Sequence, residues 1–133
     1  MIYLDSCIVI YWVEEEASEI KLLRQAFANL GKEGIAYSPL AQLECLIYPY
    51  RTGDQQLLAR YQRFFSSVTC LSLSESVFDQ ATQLRASHPG LKTPDALHLA
   101  CAQYHQCHAL WTNDERLIEI SNSFTINIIK QQA

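Results

Sequence analysis

The segment from Thr93 to Ala102 constrains the fold more than any other part of the chain, because it is apolar on nearly every side. Thr93 is a good N-cap and Pro94 suits the first helical position, so a helix is predicted over residues 94–106. A helix that is apolar all round is normally buried on most of its surface. The chain is therefore expected to fold around this helix. Asp95 then enters the core as a carboxylate, for which favourable placement at the positive end of the helix dipole is one explanation.

Short apolar segments alternate with helical patterns along the rest of the chain. Strands are predicted over residues 2–4, 35–37, 69–71, 109–112 and 125–129. Helices are predicted over residues 6–13, 18–30, 39–48, 54–66, 75–87, 94–106 and 115–120, with Gly31 closing the second. Such alternation is typical of an α/β fold, in which helices flank a parallel sheet. At 133 residues, with no internal repeat or linker, the chain is predicted to form one domain over residues 1–133.

Two aspartates directly follow predicted strands. Asp5 lies between the first strand and an apolar helical segment, and Asp114 follows the fourth strand through Thr112-Asn113. In an open α/β sheet, ligand sites form beyond the carboxyl ends of the strands. Asp114 has a second explanation as the N-cap of the helix that starts at Glu115, a role that Asn113 would also fit.

Glu44 is placed in the middle of an apolar stripe. The residues three and four positions away on its predicted helix are Leu40, Ala41, Ile47 and Tyr48. An unpaired charge in such a place costs several kcal/mol, and no Lys or Arg lies within one turn of Glu44. A partner, a proton or a metal must compensate it. A hydrogen-bonded or protonated core glutamate is the structural alternative.

Asp5, Glu44, Asp95 and Asp114 thus stand apart from the ten other acids of the 14 in the chain. Four carboxylates that converged in one cleft would repel one another unless hard cations held them together. Ligation by oxygen alone indicates Mg²⁺ or Mn²⁺ rather than zinc or copper. His98, one turn after Asp95, is either a general base or a structural histidine of the core helix.

Composition excludes several classes of protein. Only 18% of the residues are charged and 49% are hydrophobic, so a disordered chain is excluded. No apolar run reaches the roughly 18–20 residues of a membrane span, and the N-terminal pattern is that of a strand rather than a signal peptide. The five cysteines form no CxxC pair, so buried free thiols in a reducing cytoplasm are expected. The net charge is −4, so without the four constrained acids the chain is balanced and would bind nucleic acid only modestly without specific recognition.

These segments resemble the signature of the PIN domain and, more narrowly, that of VapC-type toxins of prokaryotic toxin–antitoxin pairs. The resemblance rests on Asp5-Ser6, Glu44, the segment 93–100 and the segment 112–117, which occur in the order of the family. It implies a three-layer α/β/α domain with a short central parallel sheet. It also implies metal-dependent endoribonuclease activity, a 5′-phosphate and a 3′-hydroxyl as product ends, and inhibition by a co-expressed antitoxin.

Carried over residue by residue, Asp5, Glu44, Asp95 and Asp114 match the catalytic acids that would bind Mg²⁺ or Mn²⁺. Ser6 matches a small hydroxyl position beside the first aspartate, and Asn113 matches a polar position beside the last. Asp5 and Asp95 are expected to ligate metal directly, whereas Glu44 and Asp114 would ligate through water or orient the nucleophile. Lys92 and Arg116 flank two of these segments and are candidates for contacts with RNA phosphates. A homodimer is expected.

Three other functions are alternatives to a toxin. A PIN-fold adaptor would use apolar surface within residues 8–12 and 46–50 to dock a partner, but it would have no need of four acids. A housekeeping RNA-processing nuclease would share the chemistry and differ only in its substrate. A phosphatase of the haloacid-dehalogenase kind is excluded, because it requires a second aspartate where this chain has Cys7.

Overall fold

The computed structural model describes residues 1–14, 17–30, 34–121 and 123–127. Within these ranges it contains the strands β1 (Ile2–Leu4), β2 (Ile35–Tyr37), β3 (Thr69–Cys70), β4 (Ala109–Thr112) and β5 (Thr125–Asn127). Its helices are α1 (Ser6–Glu14), α2 (Ala17–Ala28), α3 (Pro39–Thr52), α4 (Gln55–Ser67), α5 (Glu75–Ser87), α6 (Thr93–Tyr104) and α7 (Glu115–Ile120). The predicted α/β class is confirmed.

The five strands form one parallel sheet in the order β3-β2-β1-β4-β5. The chain builds outward from β1 in one direction through β2 and β3, and in the other through β4 and β5. The order of the strands therefore reverses at β1, which creates a crevice at the carboxyl ends of β1 and β4. Asp5 and Asp114 follow these two strands.

Each face of the sheet is covered by a separate apolar layer, so the arrangement has three layers. Ile2 and Leu4 of β1 face a layer that includes buried residues of α1 and α4. Tyr3 points to the opposite face, where it packs with buried residues of α5, α6 and α7. This alternation is the period of two that a strand imposes on its side chains. Seven consecutive residues of α6, 96–102, are buried, as expected for the helix around which the chain folds.

Several predicted boundaries differ from the observed ones. The third helix was predicted to end at residue 48, but α3 continues to Thr52 with the buried Pro49 inside it. Proline removes one backbone N–H and is costly inside a helix, so its presence within α3 is unusual. The helix ends instead at Gly53, whose φ of 68° is a left-handed conformation that suits glycine.

The core helix also begins one residue earlier than predicted. Lys92 occupies the N-cap position of α6 rather than Thr93, and Thr93 Oγ1 accepts a hydrogen bond from Arg85 instead. Asp54 does cap α4, with its carboxylate accepting the Leu57 N–H at 3.0 Å. The predicted closure at Gly31 and residues 128–129 of the last predicted strand lie outside the described residues.

The cysteines differ in their exposure. The expectation that they are buried is wrong for Cys70, which is exposed at the end of β3, whereas Cys45, Cys101 and Cys107 are buried and Cys7 is half-buried. All five are free thiols, as expected. In the part of the chain that is described, no helix combines the length and the apolar character that a membrane span requires.

Candidate active site

Asp5 is held rigidly at the crevice between β1 and β4. Its backbone N–H donates to the carbonyl of Trp111 at 3.0 Å, which continues the pairing of the two strands by one residue. Its Oδ1 accepts the Ser6 N–H and its Oδ2 accepts the Thr112 hydroxyl, both at 2.7 Å. Asp5 is 7% exposed and Thr112 is fully buried. The carboxylate therefore enters the site with a fixed orientation.

Thr112 is a residue to which the sequence pattern assigned no role. Besides donating to Asp5, its hydroxyl oxygen accepts the backbone N–H of Asp114 at 3.0 Å. One side chain thus links the two aspartates that follow β1 and β4. The position of Thr112 at the end of its strand is visible in the sequence, but its contact with Asp5, 107 residues away, depends on the pairing of β1 with β4.

The helix α6 brings Asp95 and His98 over the same crevice. Tyr3 and Asp5 are two residues apart along the strand and its extension, so their side chains leave the same face of the sheet. Asp95 and His98 are three residues apart on the helix and share the helical face that covers them. His98 is 1% exposed, and its Nδ1 lies 2.6 Å from Tyr3 Oη.

Glu44 meets this group from α3. Its Oε1 lies 2.6 Å from His98 Nε2, and the same ring nitrogen is 3.6 Å from Asp5 Oδ1. The predicted apolar surroundings of Glu44 are wrong in part, because Ile47 and Tyr48 are exposed and the Glu44 side chain is itself 30% exposed. The predicted need for a compensating partner is met by His98, 54 residues away in sequence.

Three of these side chains could hold a metal ion together. One ligand atom from each of Asp5, Glu44 and His98 lies within 4.8 Å of the other two. The two carboxylates are donors that suit a divalent cation such as Mn²⁺, whereas His98 Nε2 can serve either as a third ligand or, when it carries a hydrogen, as a donor to Glu44. Asp95 and Asp114 lie outside this compact group. They add negative charge to its surroundings.

The negative charges of the four acids influence one another. Burial raises the pKa of Asp95 above its usual 3.8, and the charges of Asp114 and Asp5 raise it further, although His98 and Arg116 oppose this. Burial lowers the pKa of His98, but its hydrogen bond to Glu44 and the charges of Asp5, Glu44 and Asp95 outweigh burial, so that the pKa of His98 is raised. The charge of Asp5 thus acts on both His98 and Asp95, and the surroundings of these side chains favour cations.

Asp114 has the N-cap role that the sequence offered as one explanation, and it also makes an ion pair that the sequence did not predict. It caps α7, with its Oδ1 accepting the Arg116 N–H at 3.0 Å, and it forms an ion pair with the Arg116 guanidinium at 3.4 Å. Arg116 is exposed, so this pair contributes little to stability. Asn113 is exposed and donates its side-chain amide to Tyr11 Oη at 2.9 Å. Its proposed place beside a metal stays a prediction.

A cleft of about 390 Å³ leads away from the acids. Its wall includes Asp95 and Arg116, together with the apolar side chains of Leu91 and Ile120 and the half-buried His88. Lys92 is exposed between Leu91 and the first turn of α6. The cleft therefore runs from Asp95 past the cationic side chain of Arg116, and Lys92 follows its wall residue Leu91 in sequence.

Comparison with known proteins gives a consistent result. The family model described as PIN domain matches residues 2–122. A toxin–antitoxin complex from Klebsiella pneumoniae has a chain of similar fold with a TM-score of 0.77 and 21% identity, covering 96% of this chain and 98% of that one. DNA-bound VapBC from Salmonella typhimurium gives a TM-score of 0.76 and 19% identity, with 94% and 96% covered.

A third similar structure is that of Mycobacterium tuberculosis VapC20, described as a toxin that cleaves the sarcin–ricin loop. It gives a TM-score of 0.74 and 14% identity, covering 91% of this chain and 95% of that one. At these identities the structures show a shared fold. No curated protein shows significant sequence similarity to this chain.

Proposed function

Because the chain belongs to the PIN domain family, we propose that it is a metal-dependent endoribonuclease and the toxin of a toxin–antitoxin pair. The observation that carries the proposal is the convergence of the buried Asp5 and the partly exposed Glu44 and Asp95 at the β1–β4 crevice. Asp5 and Glu44 approach the same ring nitrogen of His98, and the pKa of Asp95 is raised by burial and by neighbouring carboxylates. A site of this kind stabilises a cation and, through it, a phosphate group.

Asp5 and Asp95 are the side chains that we assign as direct ligands of Mg²⁺ or Mn²⁺. Asp5 is oriented by hydrogen bonds from Ser6 and Thr112, and Asp95 is carried by the first turn of the rigid core helix. Glu44 and Asp114 complete the negative charge and would act through water. When bound, the cation polarises the scissile phosphate and makes a water molecule more acidic. Hydrolysis in which water replaces the 3′ oxygen on phosphorus would leave a 5′-phosphate on one fragment and a 3′-hydroxyl on the other.

The RNA would follow the cleft that begins at Asp95. Arg116 and the exposed Lys92 would contact its backbone phosphates, and the partly exposed Ile120 would contact a base. Because Arg116 already pairs with Asp114, it would also hold that carboxylate in place when RNA binds. The balanced charge of the rest of the chain implies that the shape of the RNA contributes to recognition.

The metal-dependent activity is tested with purified protein and a mixed RNA substrate, with Mn²⁺ or with EDTA. Cleavage should require the metal and be lost in Asp5→Asn and Asp95→Asn. Asp79→Asn is the matched control, because Asp79 is an exposed aspartate of α5 that does not belong to the group of four acids. If Asp5→Asn retains the wild-type rate at saturating Mn²⁺, the assignment of the catalytic centre is wrong.

A partner protein is proposed for the exposed apolar face of α3. Leu43, Ile47, Tyr48 and Tyr50 are 46–65% exposed, and Leu43, Ile47 and Tyr50 line one side of a shallow groove. Surface of this kind marks a site of protein–protein contact. We assign it to the cognate antitoxin, which would insert an arginine among the acids and replace the charge of the metal. Contact with a second copy of the chain, as in a homodimer, is the alternative occupant.

The two occupants are distinguished by light scattering and by co-expression with the protein encoded by the neighbouring reading frame. Ile47→Asp should abolish capture of that protein and leave the mass of the isolated chain unchanged. Phe78→Asp is the control, because Phe78 is equally apolar and 50% exposed on α5. A change of mass in Ile47→Asp would assign the face to the homodimer instead. Growth arrest after cytoplasmic expression of the wild type, but not of Asp5→Asn, would distinguish a toxin from a housekeeping nuclease.

A further inference from the structure

We propose that His98 is a positioning residue, which Tyr3 and Ser38 hold in place so that its Nε2 fixes the Glu44 carboxylate beside Asp5. The inference deepens the proposed function and rests on it. It concerns a line of four side chains, Ser38, Tyr3, His98 and Glu44, of which the first three are buried. It predicts that removing His98 weakens metal binding through Glu44, rather than only weakening the fold.

The line is continuous and buried. Ser38 Oγ lies 2.7 Å from Tyr3 Oη, Tyr3 Oη lies 2.6 Å from His98 Nδ1, and His98 Nε2 lies 2.6 Å from Glu44 Oε1. Ser38 and Tyr3 are 0% exposed and His98 is 1% exposed. Water does not reach these three side chains, so their polar atoms depend on protein partners, which are the line itself and, for His98 Nε2, also Asp5 Oδ1 at 3.6 Å.

Ser38 gives independent support for this arrangement. It occupies the N-cap position of α3, where a serine hydroxyl ordinarily accepts a backbone N–H of the first turn. In this structure Ser38 makes no side-chain cap and directs its hydroxyl to Tyr3 instead. A favourable local interaction is therefore replaced by a contact that spans 35 residues of sequence.

The hydrogen bonds of the line can all run in the same donor-to-acceptor order, from Ser38 to Glu44. Ser38 donates to Tyr3, Tyr3 donates to Nδ1, and Nε2–H donates to the Glu44 carboxylate, which leaves no donor unused. When the ring carries both hydrogens, Tyr3 accepts from Nδ1–H and donates to Ser38, and the contact with Glu44 is the same. In both cases Tyr3 fixes the orientation of the ring, and the ring presents an N–H to Glu44.

Glu44 needs such a contact because α3 alone does not fix its side chain. The residues one turn further along, Ile47 and Tyr48, are exposed, and the Glu44 side chain is partly exposed itself. Glutamate has three rotatable bonds, so an unrestrained carboxylate would spend much of its time away from Asp5. The buried ring of His98 supplies a rigid contact that holds it at the crevice. Contacts that orient a ligand in this way change metal affinity or activity by about 10- to 100-fold when they are removed.

The competing explanation is that His98 is a core histidine whose hydrogen bonds serve only the fold. Two substitutions separate the explanations. Glutamine places a side-chain N–H near the position of Nε2 and can still donate to Glu44, whereas asparagine places its N–H near the position of Nδ1 and cannot. A role in positioning Glu44 therefore predicts that His98→Gln restores the metal affinity that His98→Asn lacks.

The experiment is calorimetric titration of Mn²⁺ into purified full-length wild type, His98→Asn, His98→Gln, Tyr3→Phe and Glu44→Gln. We expect His98→Asn to weaken Mn²⁺ binding by about 10- to 100-fold and His98→Gln to stay within about threefold of wild type. The Mn²⁺ affinity of Tyr3→Phe should lie between those of the two His98 variants. In this variant the ring of His98 stays in the core and keeps its hydrogen bond to Glu44, but it loses the one to Tyr3. His105→Asn is the matched control, since His105 follows the end of the same helix and contacts the carbonyl of Ser72.

A double variant tests whether His98 acts through Glu44. If it does, His98→Asn combined with Glu44→Gln should bind Mn²⁺ no more weakly than Glu44→Gln alone. Multiplicative losses of affinity would overturn the inference, as would wild-type affinity in His98→Asn. If His98→Asn does not fold, Tyr3→Phe decides in the same way, because wild-type affinity in that folded variant would overturn the inference. A wild type that binds no Mn²⁺ would instead refute the proposed function, and with it this inference.

Discussion

Neutralising Glu44 should destabilise the metal-free protein, although four converging acids would suggest the opposite. Relief of repulsion is the expected effect of neutralising a carboxylate that faces only like charges. Glu44 instead faces the ring nitrogen of His98 at 2.6 Å. Glu44→Gln keeps the shape of the side chain and the possibility of a hydrogen bond, but it removes the negative charge that makes this bond strong.

The size of the effect follows from the kind of hydrogen bond that is replaced. A bond to a charged group contributes about 1.5–3 kcal/mol and a neutral one about 0.5–1.5 kcal/mol, so the replacement should cost roughly 1–1.5 kcal/mol. Because the Glu44 side chain is 30% exposed, screening by water places the expected value near the lower end, at about 1 kcal/mol. For a domain of this length, that corresponds to a melting temperature about 3–5 °C lower.

The dependence on pH has a definite sign. The pKa of His98 is raised in the folded protein above its ordinary 6.5, so the native state binds this proton more tightly than the unfolded chain. The associated stability is fully present below pH 6.5 and is lost as the pH rises through the raised value. The difference in stability between wild type and Glu44→Gln should therefore be largest near pH 6 and should narrow in alkaline solution.

Thermal unfolding in EDTA at pH 6 and pH 9 measures both quantities. Glu119→Gln is the matched control, because Glu119 is exposed on α7 and its neutralisation should change the free energy of unfolding by less than about 0.5 kcal/mol. A Glu44→Gln variant that melts above the wild type at pH 6 would show that repulsion among the acids outweighs the contact with His98. The stabilising role of that contact would then be refuted.

Asp95→Asn should have the opposite effect, raising the free energy of unfolding in EDTA at neutral pH by up to about 1 kcal/mol. Burial and the charges of Asp114 and Asp5 raise the pKa of Asp95, so the wild type loses stability as the pH rises above 3.8 through the raised value. Urea unfolding of wild type and Asp95→Asn at pH 4 and pH 7 measures how their difference in stability changes with pH. Mn²⁺ at 100 times its dissociation constant should stabilise the wild type by about 2.7 kcal/mol and leave Asp5→Asn unchanged in a melting assay. The double substitution Lys92→Ala and Arg116→Ala, made in an Asp5→Asn protein that does not cleave, should weaken RNA binding. The slope of log affinity against log salt concentration should also become shallower by about 0.7 for each phosphate that the protein no longer neutralises.

The fold could be predicted from the sequence because its elements are short and sharply marked. Glycine, proline and capping residues delimit most of them, and the apolar run of α6 identifies the buried helix. The errors lie where a residue acts against its local preference. Pro49 remains inside α3 at a buried position, and Ser38 has the sequence of a helix cap but directs its hydroxyl elsewhere. In both cases tertiary packing overrides a local signal.

The acids of the site were recognisable because each stands in a place where a carboxylate is costly. Their partners were not recognisable, because those depend on long-range register. Thr112 is 107 residues from Asp5 and Glu44 is 54 residues from His98, and no local pattern specifies that these pairs meet. The sequence therefore indicates a group of acids, whereas the structure divides it into a pair that contacts His98 and a pair, Asp95 and Asp114, that lies near Arg116.

The buried contact between Tyr3 and His98 leads to a last prediction, which an alignment of PIN domains can test. A tyrosine hydroxyl at 0% exposure needs its partners, because an unsatisfied buried polar group costs about 1–3 kcal/mol. In a relative without histidine at the position of His98, a tyrosine at the position of Tyr3 would have only the serine to bind. Phenylalanine or an aliphatic residue, which fills the same space without a polar atom, should replace it there. The two positions should therefore change together, whereas Tyr61, another fully buried tyrosine that packs on Phe65 on the opposite side of the sheet, should vary independently of position 98. Frequent occurrence of tyrosine without histidine would mean that Tyr3 is retained for reasons unrelated to His98.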